Sequence, residues 1–141
     1  LINAYIKAIL ITREADGHFY ISLSINRKRI KFLVDTGATR SMLSKNDFMT
    51  LNLPYVNPKY PFKIMTANGK INAKEATVAD IVFKNVQLGP RKLLVASDHF
   101  AGPVISLLGL DLLNSFHNFE LSKDLLTIFL KSNHNENNKN N

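Results

Sequence analysis

Apolar and polar residues alternate along much of this chain with a period of two. Phe19, Ile21, Leu23 and Ile25 interleave with Tyr20, Ser22 and Ser24, the pattern of a half-buried strand. Asp16-Gly17 separates this run from an apolar stretch at 5–13, as a hairpin turn would. A short turn near 26–28 leads to 30–34, and its continuous apolar end, Phe32-Leu33-Val34, predicts a strand buried on both faces. Asn68-Gly69, between 62–67 and 70–83, is the strongest hairpin signal in the chain. Residues 86–88 and 93–96 flank Gly89-Pro90. The segment 104–108 predicts an apolar strand broken at Gly109, and 125–130 predicts a last strand.

Two segments have helical spacing instead. Ser44 precedes Asp47 by three, ahead of Phe48, Met49 and Leu51, with Pro54 as a stop, which predicts a short capped helix. Over 110–116, Leu112, Leu113 and Phe116 share one side, and Asp111 lies in the first turn, where negative charge is favoured. Many short strands with one or two short helices predict an all-β domain, barrel-like or sandwich.

Length agrees with one such domain. A chain of 141 residues can bury roughly 70% of its unfolded surface. With 45% hydrophobic and 21% charged residues, the composition excludes a wholly disordered chain, a collagen and a coiled coil. No apolar run is long enough for a transmembrane helix. Cysteine is absent, which excludes disulfides, zinc–thiolate sites and a catalytic thiol. His18, His99, His117 and His134 are scattered without metal-ligand spacing, so no metal and no cofactor is expected. Domain boundaries fall at 1–131, with 1–12 a leader or an extra strand. Residues 132–141, six of them Asn, form a disordered tail. The first residue is Leu1 rather than Met, which points to a piece or processed product of something longer.

The formal charge is +7. Such a surface could attract nucleic acid or anionic lipid, and Arg27, Lys28, Arg29 and Lys31 cluster near one turn. No recognisable nucleic-acid-binding motif accompanies them, so the cluster reads as a solvated hairpin face and no nucleic acid is expected as partner.

The chemistry lies in Phe32-Leu33-Val34-Asp35-Thr36-Gly37-Ala38-Thr39. A buried strand delivers the Asp35 carboxylate to its exit, and Gly37 permits a sharp turn directly afterwards. A carboxylate pinned on a rigid element and facing a cavity is what a catalytic group needs. Thr36 can tie the turn down with its hydroxyl. Downstream, in order, come the Asn68-Gly69 hairpin, the apolar segment ending Leu107-Leu108-Gly109, and the short helix.

This ordered set resembles the retropepsin-like aspartic proteases over residues 18–130, and its Leu-Leu-Gly-Leu-Asp run is more similar to the bacterial single-lobe members than to the viral ones. The resemblance implies a closed β-barrel with a flap hairpin. It implies Asp35 as catalytic residue, with Thr36, Gly37 and Ala38 forming the active-site turn and supporting the dimer. It makes Thr66, Ala67, Asn68 and Gly69 the flap tip that closes over substrate, with Leu108 and Gly109 packing around the strand that bears Asp35. The strand 125–130 would contribute to a dimer sheet. Many relatives of this type are anchored in the inner membrane of Gram-negative cells, which implies a protease domain in the periplasm or at the envelope, an anchor outside this fragment, and autoprocessing.

Amide hydrolysis by carboxylates needs one general base to activate water and one general acid. Two carboxylates about 3 Å apart share one proton and divide these roles. This chain carries one Asp-Thr-Gly. Asp16 sits in a turn, Asp80, Asp98 and Asp124 lack the glycine turn, and Asp111 opens a helix. The second carboxylate is then Asp35 of a second copy, so the resemblance implies a homodimer acting on a protein or peptide substrate. Thr39 and Leu110 stand where viral members carry an acid and an arginine, so that ion pair is absent. The alternative is a non-catalytic dimerisation or peptide-binding module on the same fold, against which the intact Asp-Thr-Gly-Ala argues.

Overall fold

The computed structural model describes residues 4–53, 55–56, 62–66, 69–96 and 102–133. The chain opens with β1 (Ala4–Thr12), β2 (Tyr20–Ile25), β3 (Lys28–Val34) and β4 (Met42–Leu43), followed by helix α1 (Lys45–Leu51). Then come β5 (Tyr55–Val56), β6 (Phe62–Thr66), β7 (Gly69–Val78), β8 (Ile81–Phe83), β9 (Val86–Gln87) and β10 (Arg91–Ala96). The last elements are β11 (Ser106–Leu108), helix α2 (Leu110–Leu113), β12 (Asn118–Leu121) and β13 (Leu125–Asn133). Among the described residues the domain is all-β with two short helices.

Alternation sets the strands as expected. In β2, Ile21, Leu23 and Ile25 are buried while Tyr20, Ser22 and Ser24 are half-buried. The β2–β3 turn rests on Asn26 and Arg27, whose φ angles of 48° and 68° are left-handed. Two such residues match the twist of a tight hairpin, and Ile25 pairs with Lys28 across it. The basic cluster is tied down locally. Lys28 donates to the Thr50 carbonyl at 2.7 Å, and Lys31 lies 3.1 Å from Glu14 and over the Tyr20 ring.

Ser44 caps α1, accepting the Asp47 N–H at 3.1 Å, and Asn52 ends the helix with a left-handed φ of 51°. Pro54, the expected stop, lies outside the described residues. The helix expected over 110–116 is one turn long, yet Leu112, Leu113 and Phe116 are all buried as its spacing required. The strand expected at 104–108 begins only at Ser106, where pairing with β3 starts; Val104 is 94% exposed. The stretch 70–83 divides into β7 and β8 around Ala79-Asp80.

Two sheets carry the fold. A three-stranded antiparallel sheet runs β1-β13-β12, so both edges of β13 are taken within the chain. The larger sheet runs β5-β7-β10-β4-β11-β3-β2-β8-β9, with β6 added on β7. That path has two ends, β5 and β9. The closed barrel implied by the resemblance is therefore corrected to an open sheet, because no hydrogen-bonded ladder among the described residues joins its end strands. One apolar core gathers Leu23, Phe32, Leu43, Leu93, Leu108, Leu112 and Ile128. A smaller cluster of Met42, Ala73 and Leu94 sits apart, with Ile64 and Ile71 packed on it. The segment 134–141 lies outside the described residues, and β13 extends to Asn133, two residues past the expected domain limit.

Candidate active site

The strand order places the site. β11 lies between β3 and β4, pairing parallel with the first and antiparallel with the second. The chain leaving β3 must therefore pass over the end of β11 to reach β4. The loop 35–41 makes that crossing, and Asp35 is its first residue.

Backbone hydrogen bonds fix the loop on both sides. The Asp35 N–H donates to the Leu108 carbonyl at 2.9 Å, continuing the β3–β11 ladder by one step. The Ala38 N–H donates to the Asp35 carbonyl at 3.1 Å, closing the turn. The Gly37 N–H donates to Asp35 Oδ1 at 3.0 Å and orients the carboxylate. Asp35 and Ala38 are half-buried, while Thr36 and Gly37 are exposed in the single chain. Gly37 does not need a left-handed φ, as its turn role suggested. A Cβ there would instead press within 3.2 Å of Asp35 Oδ1, so glycine leaves room for the carboxylate.

Gly109 is required more strictly. A Cβ at Gly109 would lie 2.6 Å from the Ala38 carbonyl oxygen and 2.9 Å from the Arg40 carbonyl carbon. The loop thus rests directly on the backbone at the end of β11. Leu110 and Asp111 donate their N–H groups to the Ala38 and Thr39 carbonyls at 2.9 and 3.1 Å. Asp35, Thr36, Gly37, Ala38, Leu108 and Gly109, singled out in the sequence, meet at this one crossing.

Asp111 does more than open a helix. Its Oδ1 accepts from the Ser41 N–H at 2.9 Å, the Ser41 hydroxyl at 2.6 Å and the Leu112 N–H at 2.8 Å. Ser41 Oγ in turn accepts the Gly109 N–H at 2.9 Å. Ser41 is fully buried, so this network satisfies polar groups that water does not reach. The sequence reading missed this link between loop and helix. The signal was a serine six residues after Asp35 and an acid two after Gly109, a pairing that only the crossing explains.

The Asn68-Gly69 signal gives a hairpin. Thr66 pairs with Gly69, whose φ is +108°, and β6 and β7 run antiparallel from there. Ala67 and Asn68 lie outside the described residues.

An all-β domain with a strand-end carboxylate held in a glycine turn over a neighbouring strand defines a class, the aspartic proteases. The comparisons agree. The family described as "gag-polyprotein putative aspartyl protease" matches residues 21–115, and the chain belongs to it, among the retropepsin-like aspartic proteases. The crystal structure of a retropepsin-like aspartic protease from Rickettsia conorii is 33% identical, covers 94% of this chain and 98% of that one, and superposes with a TM-score of 0.76. The EIAV protease complexed with the inhibitor HBY-793 shares the fold at 22% identity, covering 79% of this chain and 99% of that one, with a TM-score of 0.62. The uncharacterized protein RP867 of Rickettsia prowazekii is 39% identical over 85% of this chain and 50% of its own length. An uncharacterized protein of Sinorhizobium, from the cobV 5′ region, is 28% identical over 86% of this chain and 52% of its own. The chain spans about half the length of these two curated relatives.

Proposed function

We propose that this chain supplies half of an aspartic endopeptidase active site, completed by Asp35 of a second copy on a two-fold axis. The observation that carries the reading is the position of Asp35. It is half-buried and held through Oδ1, at the head of a loop whose next residues, Thr36 and Gly37, are exposed in the single chain. A partner loop meeting this one covers those residues and brings the two carboxylates together.

With one proton shared between them, the ionised carboxylate takes a proton from water as its oxygen attacks the peptide carbonyl carbon. The protonated one donates to the carbonyl oxygen. A proton then passes to the amide nitrogen, the C–N bond breaks, and the pair returns to its shared-proton state. The β6–β7 hairpin is the flap, excluding water from an extended, mainly apolar peptide. Thr36 ties the two loops together below the carboxylates. Both edges of β13 are occupied within the chain, so a partner joining the three-stranded sheet meets β1 or β12 instead.

Anchorage to a membrane by segments outside these residues, with autoprocessing at the junction, belongs to the same proposal. No helix among the described residues is long and apolar enough to cross a membrane. The test is cleavage of apolar peptides at mildly acidic pH by the native chain and by Asp35→Asn; undiminished cleavage by the variant refutes the mechanism.

A further inference from the structure

The long strand β7 changes company at Ala73. Residues from Gly69 to Ala73 pair with β6, whereas Ala73 to Val78 pair with β10, joined by β5 at Glu75 and Ala76. The hairpin is thus a two-stranded ribbon whose base is locked into the main sheet. Glu75 stands two residues inside that base.

Arg40 reaches it from the other side. Arg40 belongs to the crossing loop, and its own carbonyl group is pressed against Gly109. Its Nη2 lies 2.7 Å from Glu75 Oε2 and donates to the Lys92 carbonyl of β10 at 3.0 Å. The two side chains are 32% and 22% exposed, against 52% and 47% for the Lys31–Glu14 pair. A drier ion pair is screened less by water and salt and couples more strongly than a surface one. Next to it, Met42, Ala73 and Leu94 form the small apolar cluster on which Ile64 and Ile71 of the ribbon pack. The loop that carries Asp35 therefore meets the base of the ribbon through the ion pair, and β4, the strand it leads into, meets the ribbon through the apolar cluster.

We infer that Arg40 and Glu75 are positioning residues, a clasp that sets the base of the β6–β7 ribbon against the catalytic loop and so governs how the ribbon closes on substrate. The role in closure rests on the reading of this hairpin as a flap. The clasp itself does not, since it is a property of the single chain.

The experiment combines kinetics with amide hydrogen exchange on the purified chain. The variants are Glu75→Gln, Arg40→Lys and the charge-reversed pair Arg40→Glu with Glu75→Arg. Glu75→Gln keeps the shape and is expected to raise KM roughly three- to fivefold, with kcat within about twofold. Exchange should accelerate at 63–65 and 70–72, while β2, β3 and β10 keep their native rates. Arg40→Lys keeps the charge and should stay near native in both readouts, and the reversed pair should recover part of the loss. Unchanged exchange in the ribbon, or an even rise across the whole sheet, overturns the clasp. Faster ribbon exchange with KM unmoved overturns the role in closure. If the native chain cleaves nothing, the protease reading fails, and the exchange arm still decides the clasp.

Discussion

The Asp35 N–H donates to the Leu108 carbonyl at 2.9 Å, so the residue bearing the carboxylate is also the last rung of the β3–β11 ladder. One residue further along β11, Gly109 supports the loop from beneath. The backbone that bears the carboxylate is thus held between two strands more than 70 residues apart in sequence, as the pairing of Val34 with Leu108 shows, while the Gly37 N–H orients the carboxylate itself.

Asp35→Asn tests the chemistry without touching that scaffold. The amide keeps an oxygen to accept the Gly37 N–H, so the melting temperature should hold. Peptide cleavage should fall by about 10²–10⁴-fold, the range for loss of a general acid–base group.

Mixing tests the shared site. If each active site uses two chains, adding Asp35→Asn chain in excess to native chain should suppress the rate well beyond dilution. Specific activity of the native chain alone should fall as sedimentation shows monomer. A rate that ignores the added variant argues for a site complete within one chain.

Gly109→Ala places a methyl 2.6 Å from the Ala38 carbonyl oxygen, where neither backbone can yield without moving the loop. Overpacking of this type costs roughly 1–3 kcal/mol, and the displaced loop should lose activity out of proportion to the stability change. Thermal unfolding and cleavage measured on the same preparation read both.

Asp111→Ala strips the acceptor from the Ser41 and Leu112 N–H groups and should destabilise the fold by roughly 2–4 kcal/mol. Asp111→Asn retains an oxygen at the same place and should lose only about 1 kcal/mol. Equal losses in denaturant unfolding would show that the hydrogen bonds to Oδ1 are not what matters there.

The Asp16–Tyr20 pair predicts two titrations at the turn between β1 and β2, which is not the hairpin that Asp16-Gly17 suggested, since β1 pairs with β13 and β2 with β3 and β8. The hydrogen bond from Tyr20, and then the His18 N–H, hold the Asp16 carboxyl below its usual range. The same bond pushes the Tyr20 phenol up to about 12. The depressed Asp16 favours the folded state above the ordinary carboxyl range, and that contribution is lost as pH falls through the folded value. The raised Tyr20 favours it below about pH 10, with loss as pH rises toward 12. Asp16 is exposed and Tyr20 only half-buried, so the effect on stability is slight. NMR titration of the Tyr20 ring in native chain and in Asp16→Asn should show the phenol returning toward its usual value in the variant.

Much of the fold was legible because burial acts locally on alternating residues. The period of two in 19–25 and the Asn68-Gly69 pair each called their element, and Ser44 with Asp47 called α1. The departures share a cause. The strand at 104–108 is short because pairing with β3 begins at Ser106, and β12 went unpredicted because its partner β13 completes it. The turn at Lys84-Asn85 adopts left-handed backbone without glycine, which leaves little trace in composition.

The sequence by itself determined the class, through its resemblance to the retropepsin-like aspartic proteases. A lone Asp-Thr-Gly at the end of an apolar strand, then a hairpin, then Leu-Gly before a helix, is local information, and local spacing carries it. Only the tertiary structure decided what the glycines and the second acid are for. Because β11 inserts between β3 and β4, the loop after Asp35 must cross a strand end. That crossing makes Gly109 obligatory, buries Ser41 against Asp111, and carries Arg40 to Glu75. Such contacts join residues far apart in the chain, and no periodicity records them, since they exist only once the strands have taken their order.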